Sequence, residues 1–452
     1  MDNKLKKIFL LGGDMAILYL ALYLTLAIRY LAKPNIEDWN IHFWPFTFIF
    51  VFWLAIFYIS DLYNLYLAVN NSRFIQIASK SIILAGLFSA AFFYLNPSIG
   101  IAPKTNLIIY IITFYILFIL WRRLYNWLLG AYLPKNNVAF IGVNNQTEEL
   151  MQILKNNPHL GYDVKLIIDN DGFNITNDQQ IKNKVSDYKN LIADKKITIV
   201  VLTSDPHQSS ELRSALFSCL PLNLNFINLS RFYETITGRV PIEAINQMWF
   251  LENLNRGDKS LFRFGKKTVD IFLAVFVLIA TALFWPIIGL IIKLESKGPV
   301  FFKQVRVGKN FKIFTIIKFR TMSEEGNDHN PTIVGDKRVT PFGSFLRKTR
   351  IDEVPQVINV LVGDMSFVGP RAERPELIEQ LEKDIPFYRE RMLVKPGLTG
   401  WDQISGEYHS PSHADTIKKL QYDLFYIKNR SLYLDLSIIL KTIATVLSRS
   451  GV

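Results

Sequence analysis

The sequence predicts a membrane protein of three parts: four N-terminal transmembrane helices, a Rossmann-like parallel α/β domain, and a mainly helical C-terminal domain with a fifth membrane-inserted segment. Three observations support this fold class. Four long apolar stretches fill the first 130 residues, strand and helix patterns alternate over residues 137–235, and one more apolar stretch precedes a polar C-terminal region. Strands that alternate with helices are typical of a parallel sheet.

The composition agrees with a membrane protein that meets anions. Of 452 residues, 50% are hydrophobic and 20% are charged, and the mean hydropathy is +0.18, which excludes a disordered chain. The net charge is +12, and residues 256–350 alone hold 18 Lys and Arg against 7 Asp and Glu. Such a basic block favours phosphates, nucleotides or an anionic membrane surface as partners. The single cysteine, Cys219, excludes intramolecular disulfides and multi-thiolate metal sites.

The four apolar stretches of the N-terminal part each approach the ~20 residues that span a bilayer. They cover residues 8–27, 43–59, 82–95 and 107–121. Of the Lys and Arg around them, eight lie on the side of the two ends of this unit and three on the opposite side. Because positive residues concentrate on the cytoplasmic side, both ends are predicted to be cytoplasmic. The transmembrane domain is therefore assigned to residues 1–130.

The fifth apolar stretch, residues 268–292, has two interpretations. At 25 residues it is long enough to cross a bilayer. Yet Lys266 and Lys267 precede it and Lys293 follows it, so a crossing would place one basic cluster outside. Pro286 removes a helix hydrogen bond and predicts a kink at that residue. A helix that enters the inner leaflet, bends and returns fits both facts, but the residues alone leave an ordinary fifth span equally open.

The middle domain, residues 137–235, is predicted to contain four strands. They lie within VAFIGV, VKLIIDND, ITIVVLTSD and LNLNFINL. The turn at residues 142–146 lacks the G-x-G-x-x-G pattern that lets a backbone approach a pyrophosphate, so cofactor binding there has little support. The D-x-D triplet that begins at Asp169 has the form of a metal-bound sugar-nucleotide site, although two acids after a strand more often form a turn. Residues 236–264 are predicted as a linker.

The residues that carry chemistry follow the fifth apolar stretch. Asp352 and Glu353 are adjacent carboxylates in a basic surround that includes Lys318, Arg320 and Arg347. Such a pair suits metal-dependent phosphoryl transfer, because one acid can attack phosphorus or take a proton while the other holds Mg²⁺. The cations would neutralise phosphate oxygens and lower the pKa values of the carboxylates.

Two turns add to this site. Gly369 and Pro370 predict a tight turn that aims Arg371, a bidentate phosphate ligand, at the same place. The sequence PGLTG at residues 396–400 predicts another rigid turn. Each feature alone is also typical of surface charge or of a loop. Their succession beside a membrane segment favours a phosphate-handling site.

This succession resembles the polyprenyl-phosphate glycosyl-1-phosphate transferases, bacterial sugar transferases that start capsule, exopolysaccharide and O-antigen synthesis. The resemblance covers residues 265–452, taken as the catalytic domain. It is carried by SKGPVFFKQVRVGKNFKIFTIIKFRTM, DKRVTPFGSFLRKTRIDEVPQVINVLVGDMSFVGPR, KPGLTG and KLQYDLFYIKNRSLYLDLSIILKTI. The four helices, the α/β domain and FYETITGRVPIE before this region are similar to the large, multi-domain branch of the family.

The resemblance implies an activity and roles for the site residues. The family transfers a sugar-1-phosphate from a UDP-sugar to undecaprenyl phosphate and releases UMP. By resemblance, Asp352 is the nucleophile that forms a phosphosugar-aspartyl intermediate, Glu353 holds Mg²⁺ together with Asp352, and Arg371 binds phosphate. The residues expected to bind substrate phosphates are Lys318, Arg320, Arg338, Arg347 and Arg371.

The resemblance also bears on the membrane segment and on one departure. The family has a re-entrant membrane helix bent at a proline, which matches residues 268–292 and Pro286 and favours the re-entrant interpretation. The catalytic domain is then expected on the cytoplasmic side of the bacterial inner membrane. Ala372 stands where the family's Pro-Arg-Pro motif has its second proline, a change that concerns the positioning of Arg371 and not its identity.

Two other functions fit parts of the sequence. A Leloir-type membrane glycosyltransferase would release UDP and need the triplet at Asp169, whereas a non-catalytic scaffold of polysaccharide export would not need Asp352 and Glu353. A nucleotide-sugar dehydratase is disfavoured because the glycine fingerprint is absent. Expected partners are a UDP-sugar, undecaprenyl phosphate and membrane lipids, with no nucleic acid. The sugar, the polysaccharide and a homodimer stay open.

Overall fold

The protein forms two compact units, Met1–Leu229 and Ser230–Val452. A computed structural model describes residues 3–63, 72–96, 103–132, 136–157, 160–168, 173–176, 179–182, 188–203, 210–254, 260–323, 336, 338–405 and 412–447. The D-x-D triplet that begins at Asp169 lies outside the described residues. Each unit is built around its own buried apolar side chains.

Four long helices open the first unit, as the apolar stretches predict. They are α1 (Asn3–Tyr30), α2 (Ile36–Ile59), α3 (Ser72–Leu95) and α4 (Pro103–Tyr132). All four are long and apolar enough to cross a membrane. The start of α2 is fixed by Asn35, whose side-chain oxygen accepts a hydrogen bond of 2.6 Å from the Asp38 N–H.

One buried ion pair joins the first and fourth of these helices. The Arg122 guanidinium lies 2.7 Å from the Asp14 carboxylate, and both side chains are at most 1% exposed. Arg122 also donates to the Leu62 carbonyl oxygen at 3.0 Å. A charge among apolar helices is tolerated only when it is paired in this way. The same bundle contains a buried hydrogen bond of 2.9 Å from the Trp53 indole to Ser89.

Helices α1 and α4 approach closely at Gly13. A Cβ atom at Gly13 would lie 1.9 Å from the ring of Trp121, so only glycine fits beneath that ring. Around the neighbouring Gly12 nothing lies within 4 Å of such an atom. Close contact through a small residue is typical of helix pairs in membranes.

A six-stranded sheet follows the bundle. Its strands are β1 (Asn136–Ile141), β2 (Tyr162–Ile168), β3 (Phe173–Thr176), β4 (Gln179–Lys182), β5 (Ile199–Leu202) and β6 (Asn225–Asn228), in the order β4-β3-β2-β1-β5-β6. The four predicted strands form the parallel part, β2, β1, β5 and β6. The antiparallel strands β3 and β4 were not predicted, because their sequences, FNIT and QQIK, are short and polar. The helices of this sheet region are α5 (Asn145–Asn156), α6 (Tyr188–Asp194) and α7 (Ser210–Ser218).

The turn after β1 is closed by its own side chains. The Asn144 side chain accepts a hydrogen bond of 2.9 Å from the Thr147 N–H, and the Thr147 hydroxyl accepts one of 2.7 Å from the Asn144 N–H. This capping box satisfies N–H groups at the start of α5 that a pyrophosphate would otherwise meet. It agrees with the missing glycine fingerprint.

The second unit combines helices with two small sheets. Its helices are α8 (Leu229–Thr237), α9 (Gln247–Leu254), α10 (Ser260–Ala282), α11 (Trp285–Glu295), α12 (Pro341–Lys348), α13 (Val357–Val362), α14 (Pro375–Asp384), α15 (His413–Asn429) and α16 (Leu432–Leu447). Its strands are β7 (Phe301–Val307) and β8 (Ile313–Phe319), which form a hairpin, and β9 (Ser366–Val368) and β10 (Gly397–Thr399), which pair in parallel. The predicted linker, residues 236–264, differs from the structure, because Val240, Ile242, Ile245 and Trp249 are buried in this unit's core.

The fifth apolar stretch forms two helices rather than one. Helices α10 and α11 meet at an angle of 61°. The predicted kink is present, because the break lies at Leu283 and Phe284 in the turn that precedes Pro286. Pro286 itself is in the first turn of α11, where its missing N–H would have no helical partner.

We expect Gly13→Ala to destabilise the four-helix bundle and Gly12→Ala to leave it unchanged or slightly more stable. The methyl group at residue 13 must displace the Trp121 ring, and such overpacking destabilises a fold by about 1–3 kcal/mol. Residue 12 has free space, and alanine is the better helix former. Thermal unfolding of the two purified variants in detergent measures the difference. Equal melting temperatures would contradict the close approach of α1 and α4.

Candidate active site

The acidic pair lies on a short 3-10 turn, Ile351–Gln356, that follows α12 directly. Arg350 enters this turn with a left-handed backbone, φ 54°, and so reverses the chain after the helix. The reversal places Asp352 and Glu353 against β8, whose Lys318 reaches the same point. Lys318 and Glu353, which are 35 residues apart in sequence, thereby meet at one site.

Glu353 is held by three cations. Its Oε1 atom lies 2.7 Å from Lys318 Nζ and 3.2 Å from Arg371 Nη2, and its Oε2 atom lies 4.0 Å from Arg350. Burial alone would raise the pKa of this carboxyl, but Arg371 and Lys318 hold it well below its usual range. Burial lowers the pKa of Lys318 while Glu353 opposes that change. Glu353 is therefore an ionised carboxylate whose charge is already neutralised.

Asp352 differs from its neighbour because its carboxylate has no hydrogen bond or ion pair with any described residue. Burial, and then the charge of Glu353, raise the pKa of Asp352 to about 6. Lys318, Arg347 and Arg371 act in the opposite direction through space. An ionised oxygen without a partner is free to attack an electrophile.

Two arginines, which were not predicted as site residues, form hydrogen bonds with the backbone of the loop that carries Arg371. Arg391 donates to the Arg371 carbonyl oxygen at 3.1 Å and pairs with Asp423 at 2.8 Å. Arg306 of β7 donates to the Ala372 carbonyl oxygen at 3.0 Å. These bonds hold the two carbonyl groups that follow the Arg371 side chain in the chain, so this part of the loop is positioned without a second proline at residue 372.

The glycines of two motifs allow this loop to meet the PGLTG turn. The N–H of Gly369 donates to Thr399 O, and the N–H of Gly397 donates to Pro370 O, each at 2.9 Å. A Cβ atom at Gly369 would lie 2.3 Å from Lys395 O, and one at Gly397 would lie 2.1 Å from Gly369 N. The two backbones are too close for any side chain, which explains both glycines.

Asn359 fixes the acidic pair against β8. Its amide donates to Thr315 O at 2.8 Å and its oxygen accepts from the Ile317 N–H at 3.3 Å. This residue stands within the apolar run VINVLV, and one polar residue in such a run is a signal that sequence reasoning missed. Arg391 offered no comparable signal, because Asp423 is distant in sequence.

The structure corrects the role predicted for Arg320. Its guanidinium is buried and donates to the carbonyl oxygens of Lys297 and Ser296 at 2.5 and 2.7 Å. These are the residues that follow α11, so Arg320 holds the end of the membrane segment and is not available to a phosphate.

Arg338 and Arg347 also have protein partners. Arg338 binds both carboxylate oxygens of Asp336, with contacts of 2.6 and 2.9 Å, which leaves it poorly placed as a phosphate ligand. Arg347 donates to the Thr321 hydroxyl at 2.8 Å. Burial lowers the pKa of Arg347, and the charge of Asp352 opposes that shift through space.

Asp352 and Glu353 are the residues that could hold Mg²⁺. Within the described part of the chain, no group of three or more His, Cys, Asp and Glu comes together. Mg²⁺ sites often use one or two carboxylates and are completed by water and substrate phosphates. The free carboxylate of Asp352 and the Oε2 atom of Glu353 fit such a site.

Comparison with known proteins assigns the family. Residues 261–449 match the bacterial sugar transferases. Over 195 residues the chain is 38% identical to the exopolysaccharide production protein PSS of Rhizobium leguminosarum bv. phaseoli, which covers 41% of this chain and 96% of that protein. The chain belongs to the bacterial sugar transferase family. The acidic pair and the Arg371 loop lie inside the matched region of this sugar transferase.

Two longer relatives carry names that describe their reactions. The transferase is 28% identical over 440 residues to the UDP-glucose:undecaprenyl-phosphate glucose-1-phosphate transferase of Klebsiella pneumoniae, across 95% of this chain and 93% of that protein. It is 40% identical over 258 residues to the UDP-N-acetylgalactosamine-undecaprenyl-phosphate N-acetylgalactosaminephosphotransferase of Aeromonas hydrophila. That match covers 56% of this chain and 59% of the relative, so the chain spans little more than half of it.

We expect Asp352→Asn and Glu353→Gln to change stability in opposite directions at pH 7 without metal or substrate. The folded pKa of Asp352 lies above its unfolded value of ~3.9, so its charge opposes folding above about pH 6. Removing that charge should stabilise the protein by up to about 3 kcal/mol. The pKa of Glu353 is lowered, so its charge stabilises the fold above its unfolded pKa, and breaking its buried pairs should destabilise by about 3 kcal/mol.

Melting temperatures in EDTA from pH 5 to pH 8 check both signs. The gain from Asp352→Asn should shrink towards pH 5, where the wild-type Asp352 takes up a proton. Losses of similar size for both variants would show that the two carboxylates are held alike.

Proposed function

We propose that this sugar transferase moves a sugar-1-phosphate from a UDP-sugar to undecaprenyl phosphate and releases UMP. The observation that carries the proposal is the contrast within the acidic pair. Glu353 is bound by Lys318 and Arg371, whereas Asp352 beside it is an unbound carboxylate. A free nucleophile next to cations that can receive phosphate oxygens suits transfer in two steps.

In the first step an oxygen of Asp352 attacks the phosphorus that bears the sugar. The new bond is Asp352 O–P, and the bond from that phosphorus to the bridging oxygen breaks, so UMP leaves with the electron pair. In the second step a phosphate oxygen of the lipid attacks the same phosphorus. The Asp352 O–P bond breaks, the carboxylate is restored, and the lipid carries a diphosphate-linked sugar. One site can serve donor and acceptor in turn.

The charges around the pair support both steps. Lys318 and Arg371 lie beside the carboxylates and can stabilise the non-bridging oxygens of the transferring phosphoryl group. Mg²⁺, held by Asp352 and Glu353, would neutralise further negative charge on the diphosphate. Arg391 and Arg306 would keep Arg371 in place during the reaction.

The packing of the bent helix pair supports a re-entrant membrane segment. Ala274 of α10 is buried in a cluster with Ile316, and Ile292 of α11 is buried in a cluster with Phe319. Both Ile316 and Phe319 belong to β8, so the two halves of the pair share apolar clusters with the same short strand. A span would carry the chain across ~30 Å of hydrocarbon and away from such a partner.

The outer surface of this helix pair supports insertion into one leaflet. Phe272, Phe276 and Ile279 of α10 and Leu290 of α11 are each at least 60% exposed. Trp285, at the start of α11, packs on Phe319 with ring centroids 5.6 Å apart, next to the Lys318 of the site. The membrane segment and the site would therefore lie at the same depth, where a lipid phosphate is found.

The place of the reaction follows from its substrates. A nucleotide sugar is made in the cytoplasm, and the phosphate of undecaprenyl phosphate lies at the inner surface of the membrane. We place the catalytic unit on the cytoplasmic side of the inner membrane, at the first step of exopolysaccharide, capsule or O-antigen synthesis. The name of the Rhizobium relative agrees with an exopolysaccharide. For the first unit we propose a Rossmann-like domain, a class that the parallel strands β2, β1, β5 and β6 support.

We expect wild-type protein to release UMP from a matching UDP-sugar and to gain a sugar-phosphate on Asp352. Asp352→Asn removes the attacking oxygen and should lower turnover by several orders of magnitude, with no adduct. Glu353→Gln should keep the adduct site but need more Mg²⁺. To check this, purified protein is incubated with a panel of UDP-sugars. The released nucleotide is identified, and the protein is digested and its peptides are searched by mass spectrometry for a sugar-phosphate adduct.

Three outcomes would contradict the proposal. Release of UDP would indicate a Leloir-type reaction. An adduct on another residue would identify another nucleophile, and full turnover in EDTA would remove the role of Mg²⁺.

We expect the two ends of the bent helix pair to lie on the same side of the membrane. Cysteines introduced at Arg263 and Ser323, in a chain without Cys219, should react with an impermeant thiol reagent only after cells are opened. Both positions flank the apolar residues of α10 and α11. Labelling of one position in intact cells would show that the pair is a single span.

A further inference from the structure

A cluster of polar side chains joins the membrane helix α10 to the strand that leads into the Arg371 loop. Lys266, at the polar end of α10, places its ammonium group 3.1 Å from Val368 O, 2.7 Å from Asp435 Oδ2 and 3.2 Å from the Tyr426 hydroxyl. An ammonium group has three hydrogens, so each of them has an acceptor. Val368 is the last residue of β9, and Arg371 follows three residues later.

The carbonyl group of Val368 is the centre of this cluster. Besides Lys266, the Tyr426 hydroxyl lies 3.0 Å from its oxygen, and the Ser366 hydroxyl lies 3.2 Å away. Three donor groups from three parts of the chain lie within reach of this oxygen, which has two lone pairs. The single hydrogen of the Tyr426 hydroxyl is shared with Asp435 Oδ1, which lies 2.8 Å away. The orientation of the peptide unit that enters the loop is strongly constrained.

Helix α10 contacts the preceding residue of the strand as well. The Asp270 carboxylate accepts a hydrogen bond of 3.0 Å from the Phe367 N–H. Lys266 and Asp270 are four residues apart and lie on one face of the helix. One face of the membrane helix thus binds the Phe367 N–H and the Val368 C=O of β9.

Stability alone is a poor reason for this arrangement. The Lys266–Asp435 pair is buried, with side chains 17% and 5% exposed, and the desolvation of a buried ion pair can equal its Coulomb gain. Its geometric effect is specific, because its hydrogen bonds end on the backbone next to a phosphate-binding arginine.

We propose that Lys266, Asp270, Tyr426 and Asp435 are positioning residues, which set the Arg371 loop relative to the membrane helix. The proposal rests on the function proposed above and adds the residues that couple membrane insertion to the placement of a phosphate ligand. Displacement of a catalytic group by about 1 Å lowers turnover by up to ~100-fold. The cluster therefore acts on the rate of phosphoryl transfer through Arg371.

The chain contains a matched control for the ion pair. Lys428 lies on α15, two residues after Tyr426, and pairs with Glu234 at 2.8 Å to both oxygens. These side chains are 10% and 8% exposed, much like the Lys266–Asp435 pair. The Lys428 contacts are with Glu234 and the Trp249 ring, and not with β9.

The test compares Lys266→Met and Tyr426→Phe with Lys428→Met in full-length protein. The first two should lower kcat for UMP release by about tenfold or more, with KM for the UDP-sugar within about twofold. Lys428→Met should lower the melting temperature but leave kcat within about twofold. If Lys266→Met does not fold because Asp435 loses its cation and keeps only the Tyr426 hydroxyl, the result with Tyr426→Phe, which keeps the ring, tests the proposal.

A double-mutant cycle separates positioning from general loosening. In the Arg371→Lys variant, adding Tyr426→Phe should lower kcat further by less than about twofold. The reason is that Tyr426 acts through Arg371, whose role is already lost. Fully additive losses, or kcat losses equal to those of Lys428→Met, would overturn the proposal.

Hydrogen exchange gives a readout that does not depend on the reaction. Amides of residues 366–373 should exchange faster in Lys266→Met and Tyr426→Phe and at the wild-type rate in Lys428→Met. Unchanged exchange in all three variants would overturn the positioning role even if UMP release fails to occur. Absence of UMP release by the wild type alone would count against the proposed function instead.

Discussion

The contact between Glu353 and Lys318 is the interaction on which the site depends. It joins the 3-10 turn after α12 to β8, and Arg371 reaches the same carboxylate oxygen from a third segment. Because Lys318 and Arg371 pair with Glu353, Asp352 forms no ion pair with them although it lies among cations. The division of labour between two adjacent acids thus comes from which of them the lysine and the arginine bind.

The backbone around the site is held by a few residues. Arg391 and Arg306 bind carbonyl oxygens of the Arg371 loop, and Gly369 and Gly397 bring two backbones into direct contact. If the loop were held only through flexible side chains, the position of the Arg371 guanidinium would vary more. Here most of the constraints act on main-chain atoms, which leaves the guanidinium of Arg371 half exposed and able to meet a substrate.

Local patterns predicted much of the fold. Long apolar runs predicted the four helices, and buried strand patterns predicted the parallel strands. Contacts between distant segments were not predictable from spacing. Arg320 looks like a phosphate ligand because residues two apart on a strand, such as Lys318 and Arg320, face the same way. It lies just beyond the end of β8, however, and its guanidinium binds the carbonyl oxygens that follow α11. The kink near Pro286 was predictable, because a proline interrupts the helix before it and fits the first turn of the next one.

The apolar outer face of α10 and α11 belongs to the second unit itself. A fragment made of residues 230–452 would therefore still expose a large apolar surface and would need detergent or lipid to stay in solution. If the bent helix pair inserts as proposed, the catalytic unit would attach to a bilayer without the four N-terminal helices. Their contribution to the protein would then lie in something other than anchoring.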